Sequence, residues 1–253
     1  MTDLAPYALR LDGKVALVTG AGRGLGAAAA ARLAAQGASV VVADVDERRA
    51  AAVAAEIGPP ASSRALDVRD RSSFDAAVAA TVRTHGALDI LVNNAALTLR
   101  RPFFEIRDAE WDEVLAVNLR GVFLGCQLGG AHMRDHGGGR IVNLGSLAGQ
   151  QGSVVNGAHY AASKAGILAL TKSVARELAP FGVTVNVVAP AVIEGPLVDA
   201  LEPAAVERLV GSIPLGRIGR PDEVATLVAY LASDAAGYIT GATFDVNGGS
   251  FMR

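Results

Sequence analysis

The stretch KVALVTGAGRGLG, residues 14–26, decides the fold. Its apolar run KVALVT ends at Gly20, and a glycine-rich turn then leads into a long alanine-rich stretch that reaches about Gln36. An apolar run that does not alternate with polar residues is typical of a strand buried on both faces of a sheet. A buried strand, a glycine turn and a helix in this order begin a nucleotide-binding α/β domain.

The same strand-then-helix order repeats along the rest of the 253 residues. We therefore predict one α/β domain over residues 1–253, a Rossmann-type, doubly wound parallel sheet with helices on both faces. The predicted strand runs are KVALVT, ASVVVAD, ASSRALDV, LDILVNNA, GRIVNLGS, VTVNVVAP and YITGATFDV. Residues 1–13 are predicted as an N-terminal extension, and the irregular segment 191–213 as a lid over the site.

Composition limits the classes of function. A net charge of −2 and sparse aromatic residues, without basic clusters among them, argue against a nucleic-acid partner. The single cysteine, Cys126, excludes a disulfide framework and a multi-cysteine metal site. The N-terminal residues lack the apolar core of an export signal, and no apolar run approaches the ~20 residues that span a bilayer. We expect a cytoplasmic protein without a membrane partner.

The segment TGAGRGLG, residues 19–26, suits a dinucleotide. Backbone N–H groups of such a loop can approach a pyrophosphate, and the helix N-terminus adds a favourable partial charge. The glycines fit two registers, G-x-x-x-G-x-G with Gly20, Gly24 and Gly26, or G-x-G-x-x-A from Gly22. The glycines alone leave the register open, and a tight strand–helix turn without a ligand is the alternative.

Three charged side chains bear on which dinucleotide binds. Asp44, at the end of the second strand, can accept hydrogen bonds from the adenosine ribose hydroxyls and repels a 2′-phosphate. Arg23, inside the loop, can instead pair with that phosphate. A fixed carboxylate outweighs an exposed arginine, so we predict NAD(H) over NADP(H). Asp67, with Val68 beside it, is placed after the third strand for the adenine amino group, and a helix N-cap is the alternative.

The stretch YAASK, residues 160–164, puts a phenol and an ammonium four residues apart, on one face of a helix. The chain has only four Tyr and three Lys, so chance placement predicts far fewer than one such pair. The pair is either an ordinary helix surface or a proton-transfer device.

Together these pieces resemble the short-chain dehydrogenase/reductases. The resemblance runs from about Lys14 to Gly249. In chain order it comprises TGAGRGLG, the strand-end Asp, LDV, NNAA (93–96), VN (117–118), NLGS (143–146), YAASK and GRPDEVATLVAYLASDAAGYITGATFDVNGG (219–249). It implies a seven-stranded sheet, nicotinamide-dependent interconversion of an alcohol and a ketone, and commonly a homotetramer.

The resemblance implies Ser146, Tyr160 and Lys164 as the catalytic trio, with Asn118 as a fourth member. A free Tyr titrates near pH ~10, too high for a base at neutral pH. A nearby Lys⁺, together with the positive charge of the oxidised nicotinamide, is expected to lower that pKa, so that the phenol exchanges a proton with the substrate oxygen. Ser146 would hold the same oxygen, or else bond its own backbone. Asn118 would hold a water next to Lys164 through its side chain or a freed carbonyl, or else be a buried capping residue.

The remaining predicted contacts lie at strand ends and in the lid. The predicted cofactor contacts are Gly20, Arg23, Gly24, Leu25, Gly26, Asp44, Asp67, Val68, Asn94, Ala95, Tyr160, Lys164, Pro190 and Ile193. The predicted substrate contacts are Ser146, Tyr160, Gln151 and Val192. In the family, Asn at 93–94 ties neighbouring strands, and the backbone at Ile193 bonds the nicotinamide carboxamide. In PAVIEGP, Gly195 stands where the family has Thr, which leaves the anchoring of the lid open.

We predict an NAD(H)-dependent oxidoreductase acting on a secondary alcohol or ketone. The polar run after Ser146 favours a polyol, a sugar or a small hydroxy compound. The alternatives are a 3-oxoacyl thioester reductase, a non-catalytic dinucleotide-binding regulator, and a family member with lyase or dehalogenase activity. We find no histidine with a helical His or Glu partner at metal-ligand spacing, so we predict no metal. His159 is expected in a loop or on the surface.

Overall fold

A computed structural model describes residues 9–153 and 155–252, and its fold is built on seven parallel strands. The strands are β1 (Val15–Thr19), β2 (Ser39–Asp44), β3 (Ser62–Ala65), β4 (Ile90–Asn93), β5 (Gly139–Leu144), β6 (Val183–Pro190) and β7 (Thr243–Val246). Their order in the sheet is β3-β2-β1-β4-β5-β6-β7, and each neighbouring pair is parallel. The predicted doubly wound parallel sheet and its seven strands are confirmed.

Helices connect the strands and cover both faces of the sheet. Those described are α1 (Gly24–Ala35), α2 (Glu47–Ile57), α3 (Arg71–His85), α4 (Asp108–Leu115), α5 (Gly121–Asp135), α6 (Ala148–Gln151), α7 (Ala158–Leu178), α8 (Pro196–Asp199), α9 (Pro203–Gly211) and α10 (Pro221–Ala232). Single 3₁₀ turns lie at Phe103–Glu105, Ala179–Phe181 and Asp234–Ala236. A π-helical segment, Ala116–Arg120, joins α4 to α5.

The central strands are apolar because both of their faces are buried. Successive residues of a strand point to opposite faces, and the neighbours Leu17 and Val18 of β1 are both fully buried. Val18 packs in the cluster that includes Leu33 of α1, whereas Leu17 packs with Phe74 of α3 on the other face. Burying one such side chain contributes about 1.5–3 kcal/mol.

The two edge strands depart from the predicted apolar pattern. β3 is the polar sequence SSRA, partly or largely exposed, and β7 is only half-buried. The prediction of a strand buried on both faces is therefore wrong for β3, which pairs with β2 alone. The buried residues of that run are Leu66 and Val68, just beyond the strand. A polar edge strand is tolerated and discourages pairing with another chain.

Two long segments also differ from a simple sequence interpretation. Leu11 lies within the predicted extension, yet it is 1 % exposed and its N–H donates to the carbonyl of Gln36. Residues 1–8 lie outside the described part. Among the described helices, the stretch Asp108–Asp135 is long and apolar enough to cross a bilayer by length and composition alone. Half of its most apolar window is buried inside the fold.

The strand order places a crevice at the carboxyl edge of the sheet. It reverses between β1 and β4, so the connections that leave these strands run to opposite faces. The glycine loop follows β1, Asn94 follows β4, and Ser146 follows β5 by two residues. The parallel arrangement thus brings chain segments distant in sequence to one edge.

Candidate active site

The backbone of the glycine loop selects one of the two registers. Gly20 and Gly24 have φ values of +62° and +58°, which favour glycine. A Cβ on Gly20 would lie 2.6 Å from the Cα of Ala95, and a Cβ on Gly26 would collide with the carbonyl oxygen of Gly20. Beside Gly24 the space is open.

A Cβ on Gly22 would meet only side-chain atoms, at 2.8 Å from Arg49 Cβ and 2.9 Å from Asp44 Oδ2. Gly20 and Gly26 are instead closed by backbone atoms. The register with Gly20, Gly24 and Gly26 therefore fits the structure better, and the loop leaves room for a ligand.

Asn94 fixes this loop from the neighbouring strand. Its Nδ2 donates to the carbonyl oxygens of Thr19 and Gly20, both at 2.9 Å. The backbone N–H groups of Asn94 and Ala95 donate to Thr19 Oγ1 at 3.0 and 3.1 Å. The two bonds from Asn94 Nδ2 hold the carbonyl groups of Thr19 and Gly20 toward β4. The N–H groups of the loop are then oriented toward the crevice, where they can face an anion.

Asn93 links β4 to β5. Its Nδ2 donates to Asn143 Oδ1 at 2.8 Å, and the two residues are register partners in the sheet. The predicted tie between neighbouring strands is confirmed. It holds the strand that precedes Asn94 beside the strand that precedes Ser146.

Asp44 presents a fixed carboxylate at the end of β2. Its Oδ2 accepts the N–H of Gly22 at 2.9 Å, and its Oδ1 accepts the N–H of Asp46 at 3.0 Å. The nearby Arg49 pairs with Asp46 at 3.1 Å, while Arg23 is exposed. A half-buried carboxylate held by two backbone donors fits the ribose hydroxyls of a dinucleotide.

Asp67 lies in a local ion pair, and it is not a helix cap. Its carboxylate accepts two-point hydrogen bonds from the Arg69 guanidinium, at 2.9 and 2.7 Å. These bonds hold the pKa of Asp67 below its usual value. The cap of α3 is Asp70, which accepts the N–H of Ser72 at 3.0 Å. The capping alternative for Asp67 is wrong, and its contact with adenine, beside the buried Val68, stays a prediction.

The hydroxyls of Ser146 and Tyr160 meet at the carboxyl edge of the sheet. The Ser146 side chain lies close enough to Tyr160 to act on the pKa of its phenol, which it lowers. Ser146 Oγ also accepts the N–H of Ala148 at 3.1 Å. The alternative in which Ser146 bonds the nearby backbone is therefore present in the structure, and its contact with the substrate oxygen stays a prediction. The Thr98 side chain also lies close enough to Tyr160 to lower the pKa of its phenol. Nothing in the sequence pattern singled out Thr98, which lies in a loop after β4.

Lys164 is buried beneath the phenol. Its side chain is 3 % exposed, its Nζ donates to the Leu144 carbonyl at 2.7 Å, and it lies 5.7 Å from the centre of the Tyr160 ring. Burial lowers the pKa of Lys164 to about 8. Burial also raises the pKa of Tyr160, against the opposite effects of the Ser146 and Thr98 side chains. In the ligand-free protein, desolvation is the largest of these effects on the phenol pKa. The lowering expected from Lys⁺ together with the oxidised nicotinamide stays a prediction for the cofactor-bound protein.

Close packing sets the position of the catalytic helix α7. A Cβ on Gly149 of α6 would lie 2.6 Å from the backbone carbonyl carbon of Lys164, so only glycine fits there. His159 is fully buried, and its Nδ1 accepts the N–H of Tyr160 at 2.9 Å. The expectation of a loop or surface histidine is wrong. His159 instead satisfies one of the unpaired N–H groups at the start of α7.

Asn118 lies in the π-helical segment and is fully buried. Its Oδ1 accepts the N–H of Leu97 at 2.7 Å, and its Nδ2 donates to the carbonyl of Leu97 at 3.0 Å and to Ser163 Oγ at 3.1 Å. The amide is thus occupied by the loop after β4. Of the two predicted ways in which Asn118 could hold a water next to Lys164, the one through its backbone carbonyl is therefore favoured, and that role stays a prediction.

A parallel bridge anchors the start of the lid without the family's Thr. The N–H of Gly219 donates to the carbonyl of Val192 at 3.1 Å, and the N–H of Glu194 donates to the carbonyl of Gly219 at 2.9 Å. In such a bridge the N–H and C=O of the intervening Ile193 point away from Gly219. They are therefore oriented for a ligand on the other side.

Three other predicted contacts lie around the same crevice. The buried Pro190 ends β6, and its carbonyl accepts the N–H of Leu147 at 2.9 Å. Leu25 is half-buried in the first turn of α1. Gln151 is exposed at the end of α6, so its predicted substrate contact depends on a substrate that reaches this rim.

Two histidines at the end of α5 do lie at a spacing that can bind a metal. His132 and His136 are four residues apart at the end of α5, and their rings stack with centres 4.0 Å apart. The statement that no histidine has a partner at metal spacing is therefore wrong. Nδ1 of His136 bonds the His132 carbonyl at 2.7 Å, and the pair lies at the opposite edge of the sheet from Tyr160. Within residues 9–153 and 155–252, no group of three potential ligands surrounds a metal position.

The fold and the site define an oxidoreductase of the nicotinamide-dependent, Rossmann-type class. A family model described as Enoyl-(Acyl carrier protein) reductase matches residues 20–250. The chain belongs to the short-chain dehydrogenase/reductase family, which uses a nicotinamide cofactor. The open space beside Gly24 and the half-buried Asp44 carboxylate fit that cofactor.

Three relatives illustrate the range of the family. The chain is 42 % identical over 244 residues to the 3-oxoacyl-(acyl-carrier-protein) reductase FabG of Vibrio cholerae, covering 96 % of this chain and all of the relative. It is 39 % identical over 256 residues to the sorbitol dehydrogenase of Cereibacter sphaeroides, with the same coverage. A crystal structure from Sinorhizobium meliloti 1021, assigned as a short-chain alcohol dehydrogenase, superposes with a TM-score of 0.90 at 36 % identity, covering 96 % and 98 % of the two chains.

The buried ammonium predicts a pH-dependent stability difference between the protein and a Lys164→Met variant. Between the folded pKa of about 8 and the unfolded value of 10.5, the unfolded chain binds more protons. The stability of the parent protein should therefore rise with pH relative to the variant, by on the order of 3 kcal/mol at full deprotonation. Denaturant unfolding of both proteins without cofactor, at pH 7 and pH 10.5, measures the difference. A difference that does not change with pH would contradict the burial of a charged Lys164.

Proposed function

We propose that the protein interconverts a ketone and a secondary alcohol with NAD(H), and that the ketone is the 3-oxo group of an acyl thioester. The observation that carries the reaction type is the buried Lys164 ammonium, 5.7 Å from the centre of the Tyr160 ring, with Ser146 on the neighbouring strand end. The substrate class is supported by similar relatives named 3-oxoacyl-(acyl-carrier-protein) reductases, at 41–42 % identity over their full lengths. This reverses the preference for a polyol drawn from the sequence.

Each residue has a separate task in this reaction. When bound, the nicotinamide supplies the hydride chemistry. The loop Gly20–Gly26 and Asp44 would hold the dinucleotide, and the backbone of Ile193 would orient its carboxamide. Ser146 donates a hydrogen bond to the ketone oxygen, and the Tyr160 phenol transfers its proton to that oxygen. The positive charge of Lys164 favours the phenolate that this transfer leaves.

A polyol, a sugar or a small hydroxy compound is the second candidate substrate. The sorbitol dehydrogenase at 39 % identity supports it. The polar run after Ser146 supports it less than expected, because the Gln150 amide is hydrogen-bonded to Asp245 of β7. The exposed Gln151 remains the polar side chain of that run with a place in the predicted substrate site.

We further propose a cytoplasmic homotetramer. The assembly is supported by apolar side chains on the surface of α4 and α5, where Trp111 and Phe123 are 38 % and 41 % exposed. The half-buried edge strand β7 offers a second such surface. A light-scattering mass near the 25.8 kDa of one chain would contradict this assembly.

Catalytic turnover should depend on the hydroxyl group of Tyr160. With NADH, we expect reduction of a short 3-oxoacyl thioester, and loss of at least about a thousandfold in kcat for Tyr160→Phe, because that variant keeps the ring and lacks the proton. The measurement is NADH absorbance over a panel of 3-oxoacyl thioesters, polyols and simple ketones. Faster turnover of polyols would favour the second candidate. A Tyr160→Phe protein as active as the parent would contradict the proton donor, and no turnover in the parent would favour a non-catalytic dinucleotide binder.

Cofactor choice should depend on Asp44. We expect the protein to bind NADH more tightly than NADPH, because a 2′-phosphate would meet a carboxylate held by two backbone N–H groups. In Asp44→Ala the preference should fall by about tenfold or more, since Arg23 then faces the phosphate without an opposing charge. Fluorescence titration with each cofactor measures both affinities, with the exposed Asp75→Ala variant on α3 as a charge-matched control. Tighter binding of NADPH by the parent protein would refute the prediction.

A further inference from the structure

The backbone of Tyr160 is held at both of its polar groups by buried side chains. His159 Nδ1 accepts the Tyr160 N–H at 2.9 Å, and Ser163 Oγ donates to the Tyr160 carbonyl at 2.7 Å. His159 and Ser163 are both fully buried. Resting on the proposed function, we propose that His159 is a positioning residue for the reaction, because its Nδ1 fixes the first turn of the helix from which the phenol acts.

The Tyr160 N–H has no acceptor within its own helix. α7 begins at Ala158, so Tyr160 belongs to the first turn, whose N–H groups lack a carbonyl one turn earlier. Gly157, the residue before the helix, has no side chain that could cap it. The imidazole of His159 supplies the missing acceptor and orders the turn that carries the phenol.

The His159 ring lies where two loops approach the start of α7. A Cβ on Gly157 would lie 2.6 Å from His159 Cε1 and 3.2 Å from the carbonyl oxygen of Arg101. Gly157 directly precedes α7, and Arg101 belongs to the loop after β4. An imidazole that is fully buried and enclosed on this side has little freedom to leave the Tyr160 N–H.

The other ring nitrogen of His159 distinguishes an acceptor role from a packing role. In a neutral imidazole whose Nδ1 accepts a hydrogen bond, the proton is on Nε2. This Nε2 is buried and has no hydrogen-bond partner among residues 9–153 and 155–252. A buried donor without a partner destabilises the folded chain, so packing alone would favour an apolar side chain here. The acceptor at Nδ1 is the group that an apolar side chain cannot supply.

Two substitutions separate the acceptor from the volume of the ring. His159→Leu fills a similar space without an acceptor, whereas His159→Asn is smaller and can place its amide oxygen where Nδ1 lies. His85→Leu is the matched control, because the half-buried His85 bonds Ser62 Oγ of the edge strand β3 at 2.9 Å. It makes the same chemical change away from Tyr160.

The first test measures kcat, KM and thermal unfolding for each variant, with NADH and a substrate that the parent protein reduces. For His159→Leu we expect kcat to fall about ten- to hundredfold and KM for NADH to stay within about twofold, because a misplaced phenol affects proton transfer and not cofactor binding. For His159→Asn we expect kcat within about threefold of the parent protein. Its unfolding temperature should nevertheless be lower, since the smaller side chain leaves a cavity.

A purely structural role would make activity follow stability across these variants. Equal losses of kcat in His159→Asn and His159→Leu, or no loss in either, would therefore overturn the inference. A loss in His85→Leu as large as that in His159→Leu would also overturn it. If His159→Leu does not fold, His159→Met is compared with His159→Asn in its place.

The second test needs no turnover, so it separates this inference from the proposed function. Amide hydrogen exchange of Tyr160 is followed by NMR in the parent protein and both variants, without cofactor or substrate. We expect exchange to be about tenfold faster in His159→Leu, the equivalent of one hydrogen bond, and unchanged in His159→Asn. Equal exchange in the parent protein and His159→Leu would overturn the inference. A parent protein that shows the expected pattern but reduces no substrate would refute the proposed function and support the position that His159 gives Tyr160.

Discussion

The site depends on the burial of the Lys164 ammonium. A charged group that is 3 % exposed destabilises the folded chain unless partners replace its hydration. An ammonium has three donors, and in the described part of the ligand-free protein the Leu144 carbonyl accepts one of them. The remaining donors are therefore available to a bound ligand. Burial of Tyr160 itself raises the pKa of its phenol, so the phenol stays protonated at rest, which suits a group that gives a proton to a ketone.

The rest of the fold keeps this unfavourable arrangement rigid. Gly149 of α6 packs directly against the backbone of α7 at Lys164. The Lys164 Nζ donates a hydrogen bond to the carbonyl of Leu144, the last residue of β5. The amide ties of Asn93 and Asn94 fix the neighbouring strand ends to one another and to the glycine loop. The parallel order of the strands brings these segments to a single edge. The buried Lys164 ammonium is thus held in place by close packing and hydrogen bonds at this edge of the sheet.

The sequence predicts the fold and most of the site because both depend on local patterns. The apolar strand runs, the glycines at positive φ and the four-residue spacing of Tyr160 and Lys164 are all visible in one dimension. The place of Thr98 is not, because an amide 20 residues further along the chain, Asn118, holds its loop. The buried His159 and the raised pKa of Tyr160 also escape, since desolvation depends on neighbours from several elements. The polar edge strand β3 shows that a strand with one partner need not be apolar.

The most direct test of the central claim is where the hydride arrives. The claim is that Ser146 and Tyr160 act on the oxygen of a ketone, whereas the matching family model is described for enoyl reduction, which adds hydrogen across a carbon–carbon double bond. The reaction of a 3-oxoacyl thioester with NADH deuterated at the transferable position is followed by NMR of the product. The account predicts one deuterium on the carbon that bears the new hydroxyl. The opposite result would contradict this claim: transfer of deuterium from NADH into the product of an enoyl thioester, and none into the product of the 3-oxoacyl thioester.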